Sequence, residues 1–138
     1  MMPMGNTSTW IAVIDHDATT REALVTLLET MELKALSFSS GYLFIASLPF
    51  TQPDCIILDL HMPYMSGFTI MSKLEQLAKK IPVIVLTRHE LTEDFKQACL
   101  SNAVAILQKP IDEQALHIAI KKALNQKLAS FSASRLAI

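Results

Sequence analysis

The chain has 138 residues, 51% of them hydrophobic and 18% charged, with a formal net charge of -1. This length and composition suit one folded domain and argue against a disordered chain. The charge offers no basic face for nucleic acid, and no apolar run approaches the ~20 residues that span a bilayer.

The N-terminal residues 1–8 lack the basic start and apolar core of a signal peptide, and we expect them to form a loose tail. Cys55 and Cys99 are the two cysteines. They fall in a strand pattern and a helix pattern, so buried free thiols are expected rather than a disulfide or a metal pair. We therefore expect a cytoplasmic protein that does not contact a membrane.

The first elements are a strand, a helix, a second strand and a short helix. Trp10–Ile14 is a continuous apolar run that ends at Asp15. Thr19 begins an S/T-x-x-E sequence, which predicts a capping box at the start of the first helix. Leu33–Phe38 alternates enough for a strand near a sheet edge. Ser39 to about Leu48 is predicted to be a short helix.

The central stretch is Cys55–Gly67, in which four apolar residues lead directly into Asp59. An apolar run without polar alternation is typical of a strand covered on both faces, as in a parallel sheet. Ligands bind at the carboxyl ends of such strands, so Asp59 is the first candidate for chemistry. Ser66 is predicted to cap the helix that follows the turn at Pro63.

The last part of the chain repeats the same order twice. Val83–Leu86 is an apolar run that ends at Thr87, and Val104–Leu107 is another that leads to Lys109. Thr92 and Asp112 are predicted to cap the two helices that follow these runs. The first of these helices is predicted to stop at Asn102, a residue that tolerates the left-handed conformation.

Strand and helix patterns thus alternate five times, which predicts an α/β fold with a parallel sheet and helices on both faces. The domain is expected to span residues 9–126. Residues 127–138 are rich in Ser and Ala and resemble a C-terminal tail or the start of a linker.

Four strand ends carry polar groups that right-handed crossovers bring to one edge of the sheet. They are Asp15, Asp59, Thr87 and Lys109. The two acids can hold a hard cation such as Mg²⁺, while the lysine and the hydroxyl suit phosphate oxygens. No G-x-G-x-x-G, P-loop or G-x-S-x-G sequence is present, so Asp59 is left as a nucleophile that could form an acyl phosphate. A phosphatase acting through Asp59 is disfavoured, because no second domain covers the site.

The sequence resembles the receiver domain of two-component response regulators over residues 9–126, most closely the FixJ-like subgroup with helix-turn-helix output domains. The match is carried by IAVIDHDATTREALVTLL, PDCIILDLHMPYMSG, IPVIVLT and LQKPID. It implies a flavodoxin-like, doubly wound five-stranded sheet of order 2-1-3-4-5 with five helices. It also implies a cis bond between Lys109 and Pro110.

The resemblance implies that Asp59 accepts a phosphoryl group from a sensor histidine kinase, in stoichiometric transfer rather than as an enzyme. Asp15 would belong to the acidic pocket, and the backbone carbonyl of His61 would complete a Mg²⁺ site. Thr87 and Lys109 would contact the phosphoryl oxygens.

By the same resemblance, phosphorylation switches a surface formed by the fourth helix, fifth strand and fifth helix, which commonly dimerises. Helical phase alone makes Ala115, Ile118 and Lys122 candidates for its exposed part. DNA would be reached only through an output domain that this chain does not contain, giving a role in transcription regulation.

His16 stands where the family usually has a second acid that ligates Mg²⁺. Because imidazole is a poor ligand for Mg²⁺, weaker Mg²⁺ binding is expected, and His16 is a doubtful ligand.

His16, His61 and His89 all follow strands at the same edge. They suit either a transition-metal site with the acids or three solvated loop histidines, and no fixed spacing such as H-x-x-x-H supports the metal site. Asp17 is a possible substitute for the missing acid, although it lies one position too far along the pattern.

The alternative function is a phosphorylation-independent receiver that acts as a protein-interaction module. It is favoured by His16, by Arg88 in place of a small residue and by Ile106 in place of an aromatic residue. The four residues at the strand ends oppose it.

Overall fold

Five strands alternate with five helices in the computed structural model, which describes the backbone of residues 9–136 and the side chains of residues 9–126. The strands are β1 (Trp10–Ile14), β2 (Lys34–Phe38), β3 (Cys55–Asp59), β4 (Val83–Thr87) and β5 (Ala105–Gln108). The helices are α1 (Ala18–Thr30), α2 (Gly41–Ser47), α3 (Gly67–Gln76), α4 (Glu93–Leu100) and α5 (Glu113–Leu136).

The strands form one parallel sheet of order β2-β1-β3-β4-β5, which confirms the predicted topology. All five residues of β3 and of β4 are buried, as expected for strands covered on both faces. β2 lies at one edge and is partly exposed, again as predicted. The register pairs Asp59 with Leu86 and Thr87 with Gln108, so the strands end close to one another.

Two hydrophobic cores lie on opposite faces of the sheet. Ile56 and Leu58 point into the core under α2, α3 and α4, whereas Cys55 and Ile57 point into the core under α1 and α5. This division follows from the two-residue period of a strand. Each large buried aliphatic side chain contributes about 1.5–3 kcal/mol of transfer free energy, so both cores hold the strand ends in place.

The helix caps are mostly as predicted. Ser66 and Thr92 each accept a hydrogen bond from a backbone N–H three residues later, and Asp112 does the same for Ala115. Ser40 caps α2 in the same way, although no cap was predicted for that helix.

The predicted capping box at Thr19 is wrong, because the cap of α1 lies two residues earlier. Asp17 is its cap and accepts hydrogen bonds from the Thr19 N–H and the Thr20 hydroxyl. The prediction for Asn102 is also wrong. α4 ends at Leu100, and the described non-glycine residues with positive φ are Glu32, Tyr64 and Ala78.

α5 continues to Leu136, ten residues beyond the predicted end of the domain. The apolar period fades near residue 126, but Ala, Leu, Lys and Gln continue a helix without such a period, because their helix propensity is high. The domain limits at residues 9 and 126 stay predictions, and the predicted N-terminal tail at residues 1–8 lies outside the described residues. Among the described helices, none is long and apolar enough to cross a membrane.

Candidate functional site

Two buried carboxylates and one lysine meet at the carboxyl edge of the sheet. Asp15 follows β1 and is 0% exposed, and Asp59 ends β3 and is 2% exposed. The Nζ of Lys109 lies 2.8 Å from Asp15 Oδ2 and 3.5 Å from Asp59 Oδ2. One ammonium thus contacts both acids, and it compensates part of the charge that burial would otherwise make costly.

Backbone groups fix the other oxygen of each carboxylate. Asp15 Oδ1 accepts the N–H of Asp17 at 2.9 Å, and Asp59 Oδ1 accepts the N–H of His61 at 3.1 Å. Arg21 also donates a hydrogen bond of 2.7 Å to the backbone carbonyl of Asp15. The orientation of both acids is therefore set by the chain around them, leaving Oδ2 of each directed at Lys109.

The start of α3 packs directly on the end of β3. A Cβ atom added to Gly67 would lie 2.8 Å from the carbonyl oxygen of Asp59 and 2.9 Å from the Cα of Leu60. Glycine at this position permits the helix to approach the strand, and this approach positions the backbone that carries Asp59.

Thr87 is buried at the end of β4, and its hydroxyl has two partners. Its Oγ1 lies 3.0 Å from His61 Nε2 and accepts the N–H of His89 at 3.0 Å. The two histidine rings pack edge to face with centroids 4.5 Å apart. Loss of solvent, followed by the nearby charge of His89, lowers the pKa of His61 below 6.5. The resemblance implied a backbone role for His61, and the contact of its ring with Thr87 was not predicted.

His16 lies with the acids, apart from the other two histidines. Its Nδ1 is 3.6 Å from Asp59 Oδ2 and 3.9 Å from Asp15 Oδ1, and the side chain is 41% exposed. One ligand atom from each of Asp15, His16 and Asp59 lies within 4.8 Å of the others. The site built from all three histidines is therefore not formed, because the ring of His61 contacts Thr87 and the ring of His89 packs against those of His61 and Phe95.

Other predicted residues lie near the site without joining it. The carboxylate of Asp17 caps α1 and is not free to replace the missing acid. Arg88 is exposed and lines, with Lys109 and residues of α1, an open groove of about 640 Å³ beside the site. The Lys109–Pro110 bond is cis, as the resemblance implies. Ile106 is half-buried and packs in the core under α2, α3 and α4.

The candidate residues for the switching surface differ in exposure. On α5, Ile118 is 61% exposed and Lys122 is exposed, while Ala115 is half-buried.

Comparison with known proteins agrees with this geometry. Residues 11–121 match the family model described as "Response regulator receiver domain". The response regulator protein TodT of Pseudomonas putida is 32% identical over 121 residues, covering 88% of this chain and 53% of TodT. The transcriptional regulatory protein FixJ of Azorhizobium caulinodans is 32% identical over 117 residues, covering 84% of this chain and 55% of FixJ. The chain thus spans about half the length of these relatives.

A solved response regulator receiver domain protein from Clostridium thermocellum has a TM-score of 0.77 and 32% sequence identity, and the match covers 88% of this chain and 98% of that chain. The resemblance to FixJ-like receivers is therefore confirmed by the sequence relatives and by the fold. The chain belongs to the response regulator receiver domain family.

Proposed function

We propose that Asp59 is the phosphoacceptor and that it takes a phosphoryl group from the phosphohistidine of a partner histidine kinase. The observation that carries this proposal is the contact of one lysine with two buried carboxylates at the end of parallel strands. In the transfer, a carboxylate oxygen forms a bond to phosphorus while the bond to the donor imidazole breaks.

The surrounding side chains supply charge and position rather than a further covalent step. Lys109 offsets negative charge that the phosphoryl group adds beside Asp15 and Asp59. Thr87 donates its hydroxyl to a phosphoryl oxygen after it leaves His61. The ring of His16 lies against Asp59 Oδ2, so it has to move aside for the donor to approach.

Receiver domains bind Mg²⁺ through acidic residues, and a bound cation supplies positive charge to the phosphoryl oxygens. Here Asp15, Asp59 and the backbone carbonyl of His61 would hold it. These oxygens suit Mg²⁺, but His16 offers nitrogen where a third carboxylate is usual. Mg²⁺ binding is therefore weaker than in a receiver with an acid at this position, and His16→Asp raises it. Equal Mg²⁺ affinities of the two proteins in a calorimetric titration would contradict this.

The phosphoryl group adds roughly −1.5 to −2 charge at the sheet edge, by analogy with phosphorylated hydroxyl residues. We expect this charge to change the surface formed by α4, β5 and α5, where Ile118 and Lys122 are exposed. Dimerisation of that surface would control a transcriptional output domain in the cytoplasm. The longer relative FixJ is named a transcriptional regulatory protein, which supports the transcriptional role.

A phosphorylation-independent interaction module is the second candidate. It is favoured by the two contacts that already occupy the Thr87 hydroxyl and by the contact of His16 with both acids.

Incubation with acetyl phosphate and Mg²⁺, followed by intact mass measurement, distinguishes the two functions. A phosphoacceptor gains the mass of one phosphoryl group, and Asp59→Asn, which keeps the side-chain shape, gains none. If the unaltered protein gains no mass, or Asp59→Asn gains as much, the phosphoacceptor function fails.

A further inference from the structure

The triangle formed by Asp15, His16 and Asp59 has the spacing of a metal site with one nitrogen ligand. His16 Nδ1 lies 3.6 Å and 3.9 Å from carboxylate oxygens of the two acids. Ligands at about 2.0–2.2 Å from a tetrahedral ion lie roughly 3.4 Å from one another. His16 Nδ1 is therefore within a few tenths of an ångström of that spacing from each acid. The two carboxylate oxygens lie within 4.8 Å of each other, so binding one ion would draw them together by at most about 1.4 Å.

The donor set discriminates between ions. Zn²⁺ binds histidine nitrogen and carboxylate oxygen together, commonly through three protein ligands and an open position. Mg²⁺ demands oxygen ligands in octahedral geometry, and the imidazole contributes neither oxygen nor negative charge. The two carboxylates bring a formal charge of −2, which the Lys109 ammonium lowers to −1, so the cluster still attracts a dication.

Lys109 does not occupy the same position as such an ion. Its closest contact is with Asp15 Oδ2, whereas His16 lies nearer Oδ1 of that residue. The Lys109 ammonium and the metal ion would share only Asp59 Oδ2, which lies 3.5 Å from Lys109 Nζ and 3.6 Å from His16 Nδ1. The His16 side chain is 41% exposed, so a metal ion and water can reach these three ligand atoms from solvent.

We propose that Asp15, His16 and Asp59 form a binding site for a borderline transition-metal dication of the Zn²⁺ or Co²⁺ class, in preference to Mg²⁺. The proposal goes beyond phosphoacceptance, because it concerns which ion binds and is measured without any phosphoryl group.

The test compares Zn²⁺ and Mg²⁺ affinities of the metal-free full chain by calorimetry, for the unaltered protein, His16→Ala and His16→Asp. Zn²⁺ should bind at one equivalent and lose at least about tenfold in affinity in His16→Ala. In His16→Asp the ratio of Zn²⁺ to Mg²⁺ affinity should fall by a similar factor. That ratio is the critical quantity, because Zn²⁺ binds most nitrogen and oxygen sites more tightly than Mg²⁺. Visible absorption of the Co²⁺ complex gives a second readout, and it should change in His16→Ala as the nitrogen ligand is lost.

Two histidine variants serve as controls, each checked for folding by circular dichroism. His117 is exposed on α5, away from the acids, and His89 lies beside Thr87. Neither His117→Ala nor His89→Ala should alter Zn²⁺ affinity.

The proposal is overturned if the Zn²⁺ to Mg²⁺ ratio is the same in His16→Asp as in the unaltered protein. It is also overturned if His16→Ala keeps its Zn²⁺ affinity. Phosphorylation of Asp59 by acetyl phosphate is scored separately, so either conclusion can fail while the other stands.

Discussion

Replacing Gly67 with alanine tests how the structure positions Asp59. The new Cβ would lie 2.8 Å from the Asp59 carbonyl oxygen and 2.9 Å from the Leu60 Cα, where ordinary contacts begin at 3.4 Å. Both neighbours are backbone atoms, so about half an ångström of displacement must come from the end of β3 or the start of α3. Overpacking of this kind costs about 1–3 kcal/mol, and we expect a loss of that size in the free energy of unfolding.

Gly41→Ala is a matched control, because Gly41 also follows a capping serine and begins a helix. The Cβ of an alanine at position 41 would lie 2.7 Å from Ile70 Cδ1 and 2.7 Å from Met65 Sδ. Both are side-chain atoms, which can move by rotation without displacing the backbone. Rotation of these side chains costs about 0.5–1.5 kcal/mol, so Gly41→Ala should be the milder change.

Urea unfolding followed by circular dichroism measures both losses, and the slope should be unchanged if only the native state is affected. Labelling by acetyl phosphate should also slow in Gly67→Ala, because the displaced backbone carries Asp59, the proposed acceptor. The packing argument is refuted if Gly67→Ala loses less than about 0.5 kcal/mol, a normal surface effect. It is equally refuted if Gly41→Ala loses more than Gly67→Ala.

Two further predictions concern charged groups at the same edge. Lys109→Met should lower the free energy of unfolding, measured by urea unfolding, by about 3–5 kcal/mol, because two buried carboxylates lose the ammonium group that contacts them. The control Lys122→Met removes an exposed lysine and should have little effect. A Lys109→Met protein as stable as the unaltered one would contradict the burial argument. The pKa of His61 is lower in the folded protein than in the unfolded chain. As the pH falls below about 6.5, the unfolded chain therefore binds a proton at His61 before the folded protein does, and the free energy of unfolding should decrease. His61→Asn should weaken this pH dependence of stability between pH 7.5 and 5.5, roughly one unit on either side of the ordinary histidine pKa. If the pH dependence is unchanged in His61→Asn, the role of His61 is refuted.

The sequence was sufficient to predict the sheet and which polar residues meet at its carboxyl edge, because both depend on short-range patterns. Continuous apolar runs identified β1, β3 and β4, and each run ends at the residue that the structure places at the edge. Asp59 and Lys109 are 50 positions apart in the chain. Their contact was still predictable, because parallel strands with right-handed connections leave little choice about where strand ends meet.

Details that depend on side-chain orientation were not predictable in the same way. Asp17 and Thr19 both suit a helix cap, and the choice between them depends on where the chain leaves β1. The contact between the His61 ring and Thr87 depends on the conformations of the loops after β3 and β4 and on the His61 rotamer. Neither of these is indicated by a sequence pattern. The spacing of two residues from Asp59 to His61 and from Thr87 to His89 is the one signal that could have indicated it.

The unequal burial of the helices also affects how the domain can respond. α4 has one fully buried residue, Cys99, whereas α3 on the same face buries Gly67, Ile70, Met71 and Leu74. Detaching or rotating α4 therefore exposes little apolar surface, and the free-energy cost is correspondingly small. α4 also follows the loop that carries His89, so a rearrangement around Thr87 would reach the most weakly anchored helix on that face first.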